Sequence, residues 1–203
     1  MRPRFVIVLC ALLLGPIAIA HSAHAADTDP AVIQVQTLSS SLLEAMKTGS
    51  AASTSERYRE LKPVIEKVFA LPLMTRLSVG PNWSNFQPGQ QAALIAAFSR
   101  YTIANYAHNF NSFNGQKFDV DESAVNRGAE KIVQARLESP NDTPVSFLYR
   151  MREVNGSWKI IDVYFNGVSQ LILHRTEFAE AIASGGPPAL VAHLNKVSDG
   201  LMK

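Results

Sequence analysis

The sequence predicts an α+β fold, a curved antiparallel sheet of about four strands covered by helices. Apolar residues recur at helical spacing over the first half of the chain, alternation at strand spacing takes over between residues 116 and 165, and helical spacing returns after Gly167.

The elements follow in order. Val32, Val35, Leu38, Leu42 and Met46 stand three and four apart, which predicts a helix over residues 30–47 ended by Gly49. Ser53 and Glu56 have the spacing of a capping box ahead of Tyr58, Leu61, Ile65 and Val68, and Pro63 is expected to kink or divide that second helix. Phe69, Leu73, Met74 and Leu77 predict a short third helix. Gly80-Pro81-Asn82-Trp83 reads as a turn, and Pro88 stands where the first turn of a helix tolerates proline. The helix it opens is expected to reach about Phe113, with a face rich in rings: Leu94, Phe98, Tyr101, Ile103, Tyr106, Phe110 and Phe113.

Strands are predicted at about 116–122, 129–138, 145–154 and 158–165. Asn155-Gly156 is the strongest turn signal. A two-residue primed turn there sets Val154 opposite Ser157, Met151 opposite Ile160, Tyr149 opposite Asp162 and Phe147 opposite Tyr164. One sheet face then holds Val145, Phe147, Tyr149, Met151, Trp158, Ile160 and Tyr164; the other holds Leu148, Arg150, Arg152, Lys159, Ile161, Val163 and Phe165. Leu171, Arg175, Phe178 and Ile182 share a helix face, Gly185-Gly186-Pro187-Pro188 breaks it, and Leu190, Leu194, Val197 and Leu201 form a last stripe.

Residues 1–25 read as a secretory signal: Arg2 and Arg4 precede an apolar run from Phe5 to Ala20, and cleavage is expected after Ala23-His24-Ala25. Residues 26–203 then form one domain. The single cysteine, Cys10, lies in the signal, so disulfides and thiolate chemistry are absent from the mature chain. Removing Arg2 and Arg4 leaves 17 basic against 17 acidic residues. That balance argues against nucleic acid as a partner.

Chemical motifs are few. No G-x-S-x-G, H-E-x-x-H, P-loop or dinucleotide fingerprint occurs. His108, His174 and His193 lie far apart without carboxylates at ligand spacing, so neither metal nor cofactor is expected. Asp119, Asp121 and Glu122 read as a solvated sheet edge. Asp162 interrupts an apolar face opposite Tyr149; structural pairing is one reading, and acid/base chemistry on a polycyclic substrate, with Asp162 as base and Tyr149 as donor, is the other.

Asn155-Gly156-Ser157-Trp158-Lys159, Asp162-Val163, Gly167-Val168-Ser169, Arg175 and Phe178 resemble the terminal signature of the MlaC (Ttg2D, toluene-tolerance) family of periplasmic phospholipid-binding proteins. Phe69 to Trp83 occupies the place of an upstream motif of that family, with Ala70, Asn166 and His174 at positions where it has aspartate, glutamate and tyrosine. Tyr106-Ala107 and residues 110–115 look more like the hopanoid-associated HpnM branch.

The resemblance implies a helical, nuclear-transport-factor-2-like α+β fold with a cavity for acyl chains, and no enzymatic activity. It implies a carrier that shuttles a phospholipid or hopanoid-type lipid through the periplasm. Its partners would be an inner-membrane transporter, an ABC-type MCE complex or an RND-type protein, and an outer-membrane lipid-transfer complex. Candidate cavity residues are Phe69, Leu73, Met74, Leu77, Phe98, Tyr101, Tyr106, Phe147, Tyr149, Met151 and Val163, of which about half are expected on the wall. A ligand-free interaction module would instead have a solid apolar centre.

Overall fold

In a computed structural model the protein is described over residues 28–140 and 142–203, so the expected signal segment lies outside the described residues. Helix α1 (Pro30–Thr48) starts where Asp29 accepts a hydrogen bond from the Ala31 N–H, 2.9 Å, and stops at Gly49, whose φ of 54° suits a residue without a side chain. Its expected stripe is buried.

The capping box opens α2 (Thr54–Val68): Ser53 N donates to Glu56 Oε2 at 2.7 Å, and Glu56 N donates to Ser53 Oγ at 3.2 Å. Contrary to one expectation, Pro63 does not divide this helix. Pro63 and Arg59 are both exposed, so water can take the carbonyl that proline leaves unbonded. Arg57, not Tyr58, is the residue buried on the first turn; it donates to the carbonyls of Ala107, Gly49 and Ala52 and so ties three segments together.

Phe69 precedes α3 (Leu71–Val79) rather than lying within it. The link is pinned to the sheet where Ala70 N donates to Ile160 O, 2.9 Å. The Gly80 turn is a stretch of 3₁₀ helix, Gly80–Asn85. Pro88 opens α4 (Pro88–Asn109), which ends four residues short of the expected Phe113; Phe110 caps it, and Phe113 is exposed.

The sheet has six strands, since β1 (Lys117–Val120), β3 (Glu130–Ser139), β4 (Asp142–Val154) and β5 (Ser157–Phe165) are joined by two short strands that the alternation was too brief to signal, β2 (Val125–Arg127) and β6 (Val168–Ser169). All are antiparallel, in the order β1-β3-β4-β5-β6, with β2 also paired to β3. Asn155 and Gly156 both have positive φ, 53° and 74°, and Val154 does face Ser157.

The expected register holds as far as Met151 opposite Ile160 and then breaks. A bulge leaves Ile161 as an extra residue, so Asp162 stands opposite Arg150, Val163 opposite Tyr149 and Phe165 opposite Phe147. The two faces of β5 therefore exchange occupants beyond the bulge: Val163 and Phe165 join Phe147 and Tyr149, whereas Asp162 and Tyr164 join Arg150 and Leu148. The first face, with Val133 and Ala135 of β3, is buried except at Phe165. The second carries charge, with Glu130 paired to Arg150 and Arg152.

Helix α5 (Gln170–Leu201) is two helices joined at a bend, where Gly185 and Gly186 leave helical geometry. Leu171, Phe178, Leu190, Leu194 and Ser198 are its buried positions; Arg175 and Val197, expected on the inner stripe, are not among them. No described helix is long and apolar enough to cross a membrane.

Candidate functional site

Between the buried face of the sheet and the helices α1, α3, α4 and α5 the packing leaves a cavity of about 500 Å³. That is several times the ~150 Å³ apolar void that can hold a benzene ring. It is too large for a solid interaction module and falls within the range of ligand pockets, about 300–1,000 Å³.

Of the sequence candidates, Phe69, Met74, Phe98, Tyr101, Tyr106, Phe147 and Val163 lie on its wall. Leu73, Leu77, Tyr149 and Met151 do not. Leu73 faces a separate outer groove with Trp83 and Arg76, Leu77 is half-buried, and Tyr149 and Met151 are fully enclosed. Each wall residue has a local cause. Phe69 is placed by the Ala70–Ile160 hydrogen bond and meets the Tyr106 ring edge-on at 5.5 Å. Val163 and Phe165 reach the wall only because of the bulge. Rings of Tyr106, Phe110, Phe118 and Phe147 continue one another at centroid distances of 5.6 to 6.5 Å.

Sequence reasoning missed two groups. Met46, Phe110, Leu137, Val145, Phe165 and Leu171 complete the apolar wall, and Ser78, Thr102, Asn105, Asn109, Gln170 and His174 supply polar atoms. The wall residues most open to solvent are Asn109 and Phe165, with Asn105 and Gln170 half-buried beside them. The opening therefore lies between the end of α4 and the β5–α5 junction. Spacing could have found the polar pairs, since Asn105/Asn109 and Gln170/His174 are each four apart on one helix face.

In and around the cavity, three phenols and one carboxylate are perturbed. Burial pushes the Tyr106 hydroxyl up, and burial followed by the neighbouring Tyr106 pushes Tyr149 well up. Burial and then the Glu177 charge raise Tyr101. All three stay protonated at neutral pH. Glu177 is held at about 2 by its contacts with His174 and, against partial burial, with His193. The His193 Nε2 lies 2.6 Å from Oε1, a firm hydrogen bond; His174 Nδ1 at 3.5 Å is at the limit of one. His174 and His193, nineteen residues apart, thus meet at one carboxylate.

The Asp162–Tyr149 pair of the isomerase reading is not formed. Asp162 is enclosed, accepts from Ser169 Oγ at 2.7 Å and from Leu171 N at 3.0 Å, and has Arg150 at 3.8 Å. The bulge has turned it away from Tyr149, and it is not on the cavity wall. Its oxygens are occupied in holding the start of α5. Among the described residues no cluster of three His, Cys, Asp or Glu side chains is arranged to hold a metal ion.

Comparison with known proteins gives consistent matches. The family model described as MlaC protein matches residues 36–196. The toluene tolerance protein ttg2D of Pseudomonas putida is 26% identical over 113 residues, which are 56% of this chain and 50% of that protein; the chain thus spans about half the length of the curated relative it matches. Among solved structures, a phospholipid-binding protein from Ralstonia solanacearum, in complex with a phospholipid, superposes with a TM-score of 0.73 at 22% identity, over 85% of this chain and 99% of the other. At that identity the likeness establishes a common α+β fold.

Proposed function

The chain belongs to the MlaC family, and on that premise we propose that it is a periplasmic lipid carrier rather than an enzyme, taking a phospholipid or hopanoid-type lipid into its cavity and passing it between inner-membrane and outer-membrane complexes. The observation that carries this reading is the cavity itself: about 500 Å³, walled by rings and aliphatic side chains, with amide side chains gathered at its opening. An apolar body inside and a polar end at the opening is the arrangement an amphiphile requires. Each methylene removed from water contributes about 0.8 kcal/mol, so one buried chain suffices for tight holding without directional bonds.

The named wall residues, Phe69, Met74, Phe98, Tyr101, Tyr106, Phe147 and Val163, are the contacts proposed for the buried part of the lipid. A leader cleaved after Ala25 would deliver the protein to the periplasm, where either an ABC-type MCE complex or an RND-type protein could supply or receive the cargo. Relatives support the ligand class: the Ralstonia solanacearum protein was solved with a phospholipid bound.

The test is to fill the cavity. Val163→Trp puts an indole into the cavity, and the reading expects lipid uptake from vesicles to fall at least about ten-fold with the circular dichroism spectrum unchanged. Undiminished uptake by a folded variant would count against this cavity as the lipid site.

A further inference from the structure

The stretches of chain that frame the opening contain no charged side chains. Two segments frame it, residues 101–116 at the end of α4 and beyond, and residues 163–173 at the β5–α5 junction; neither contains a single Lys, Arg, Asp or Glu, in a chain that is 18% charged. Both are rich in amides instead, with Asn105, Asn109 and Gln170 on the cavity wall itself. No wall residue carries a fixed charge.

One feature near the opening could still attract an anion, the N-terminus of α5, where unpaired N–H groups and the helix dipole concentrate positive potential. Two of these N–H groups are satisfied internally. Leu171 N donates to the buried Asp162 carboxylate at 3.0 Å, and Ile172 N donates to Ser169 Oγ at 3.2 Å, while the Ser169 hydroxyl donates to Asp162 at 2.7 Å. A phosphate arriving at Gln170 meets a helix end that a carboxylate has neutralised. The exposed Arg175 is not on the cavity wall and has its Nε committed to the Leu77 carbonyl, 2.9 Å. Behind His174 on the wall stands the ionised Glu177.

We propose that the opening selects a lipid whose polar end is uncharged and rich in hydroxyl groups, and that it discriminates against anionic phospholipids. This rests on the carrier reading above and narrows its cargo. Carboxamides both donate and accept, which matches hydroxyl groups pointing in either sense, whereas a phosphate carries only acceptors and needs cations or free N–H groups to replace its water. Asn109 donates to the Asn105 carbonyl at 2.8 Å, which fixes the orientation of its amide while leaving the Asn109 oxygen free to accept. Two chemical sources share this head group, a glycosylated diacyl lipid and a polyhydroxylated polycyclic lipid.

The test is competitive loading. The purified protein is incubated with phosphatidylcholine vesicles doped with equal amounts of phosphatidylglycerol and a galactosyl diacylglycerol of the same acyl chains, and its bound lipid is counted by native mass spectrometry. A second arm replaces the galactolipid by a triterpenoid bearing a polyol chain. The proposal expects the hydroxylated lipid to exceed phosphatidylglycerol by about five-fold in at least one arm, and the arm with the larger excess identifies the source.

Asn109→Lys, at an exposed position in the last turn of α4 where a cation suits the helix end, should shift the ratio about five-fold toward phosphatidylglycerol. Phosphatidylglycerol loading equal to or above both hydroxylated lipids overturns the selectivity while leaving the carrier intact. A protein that loads no lipid from any vesicle overturns the carrier reading and this inference with it.

Discussion

Asp162 is fully enclosed beside β6 and holds the first turn of α5 through Ser169 and Leu171. Removing its carboxylate leaves a buried hydroxyl and a buried N–H without an acceptor, so Asp162→Ala should lower unfolding free energy by about 1–3 kcal/mol. Urea titration checks this; an unchanged midpoint would mean that the helix start holds without it. A second side chain gives a pH signature. Glu177 sits at about 2 in the folded protein against an ordinary 4.5, because His174 and His193 favour its charged form. A depressed carboxylate contributes stability that is complete above about 4.5 and lost as pH falls through the folded value near 2. The stability gap between the wild type and Glu177→Gln should therefore be full at pH 5 and shrink toward pH 2.5, as urea midpoints across that range would show. A gap that is flat with pH would contradict it.

At the scale of elements, much of the fold was legible because its signals are local. The Ser53–Glu56 box, Pro88 at a helix start, and Asn155-Gly156 between alternating strands each act within a few residues, and each is found where the sequence puts it. The β5 bulge was not legible. Ile160 and Ile161 are equally apolar, so alternation cannot say which is extra; the choice is tied to the contact of Ala70 with Ile160, some ninety residues apart in the chain. That single residue reassigns Asp162, Val163 and Phe165 and removes the acid/base pair the sequence allowed. The wall amides escaped for another reason: spacing puts Asn105 and Asn109 on one helix face but does not say whether that face meets solvent or an opening. The bend in α5 supplies a test of its own. Gly186 has φ 69° and ψ −163°, a conformation that an L side chain resists, and an added Cβ would meet nothing closer than 3.8 Å. Gly186→Ala should thus cost about 1–3 kcal/mol from backbone strain alone, measured by thermal unfolding; an undiminished melting temperature would show that the bend adapts.

For the whole molecule, the family assignment, the shared α+β fold and an apolar cavity with a polar opening converge on one account. The helices leave a space over the buried face of the sheet, lined by side chains drawn from the sheet and from four helices. The wall is therefore a property of the assembled fold, not of any one segment, which is why only part of it could be named from sequence. The measurement that bears most directly on the account is native mass spectrometry of the purified protein followed by extraction and identification of whatever it holds. The account predicts a mass shift equal to one amphipathic lipid, lost when Val163→Trp fills the cavity. A protein that is lipid-free as isolated, and still lipid-free after incubation with vesicles, would contradict it.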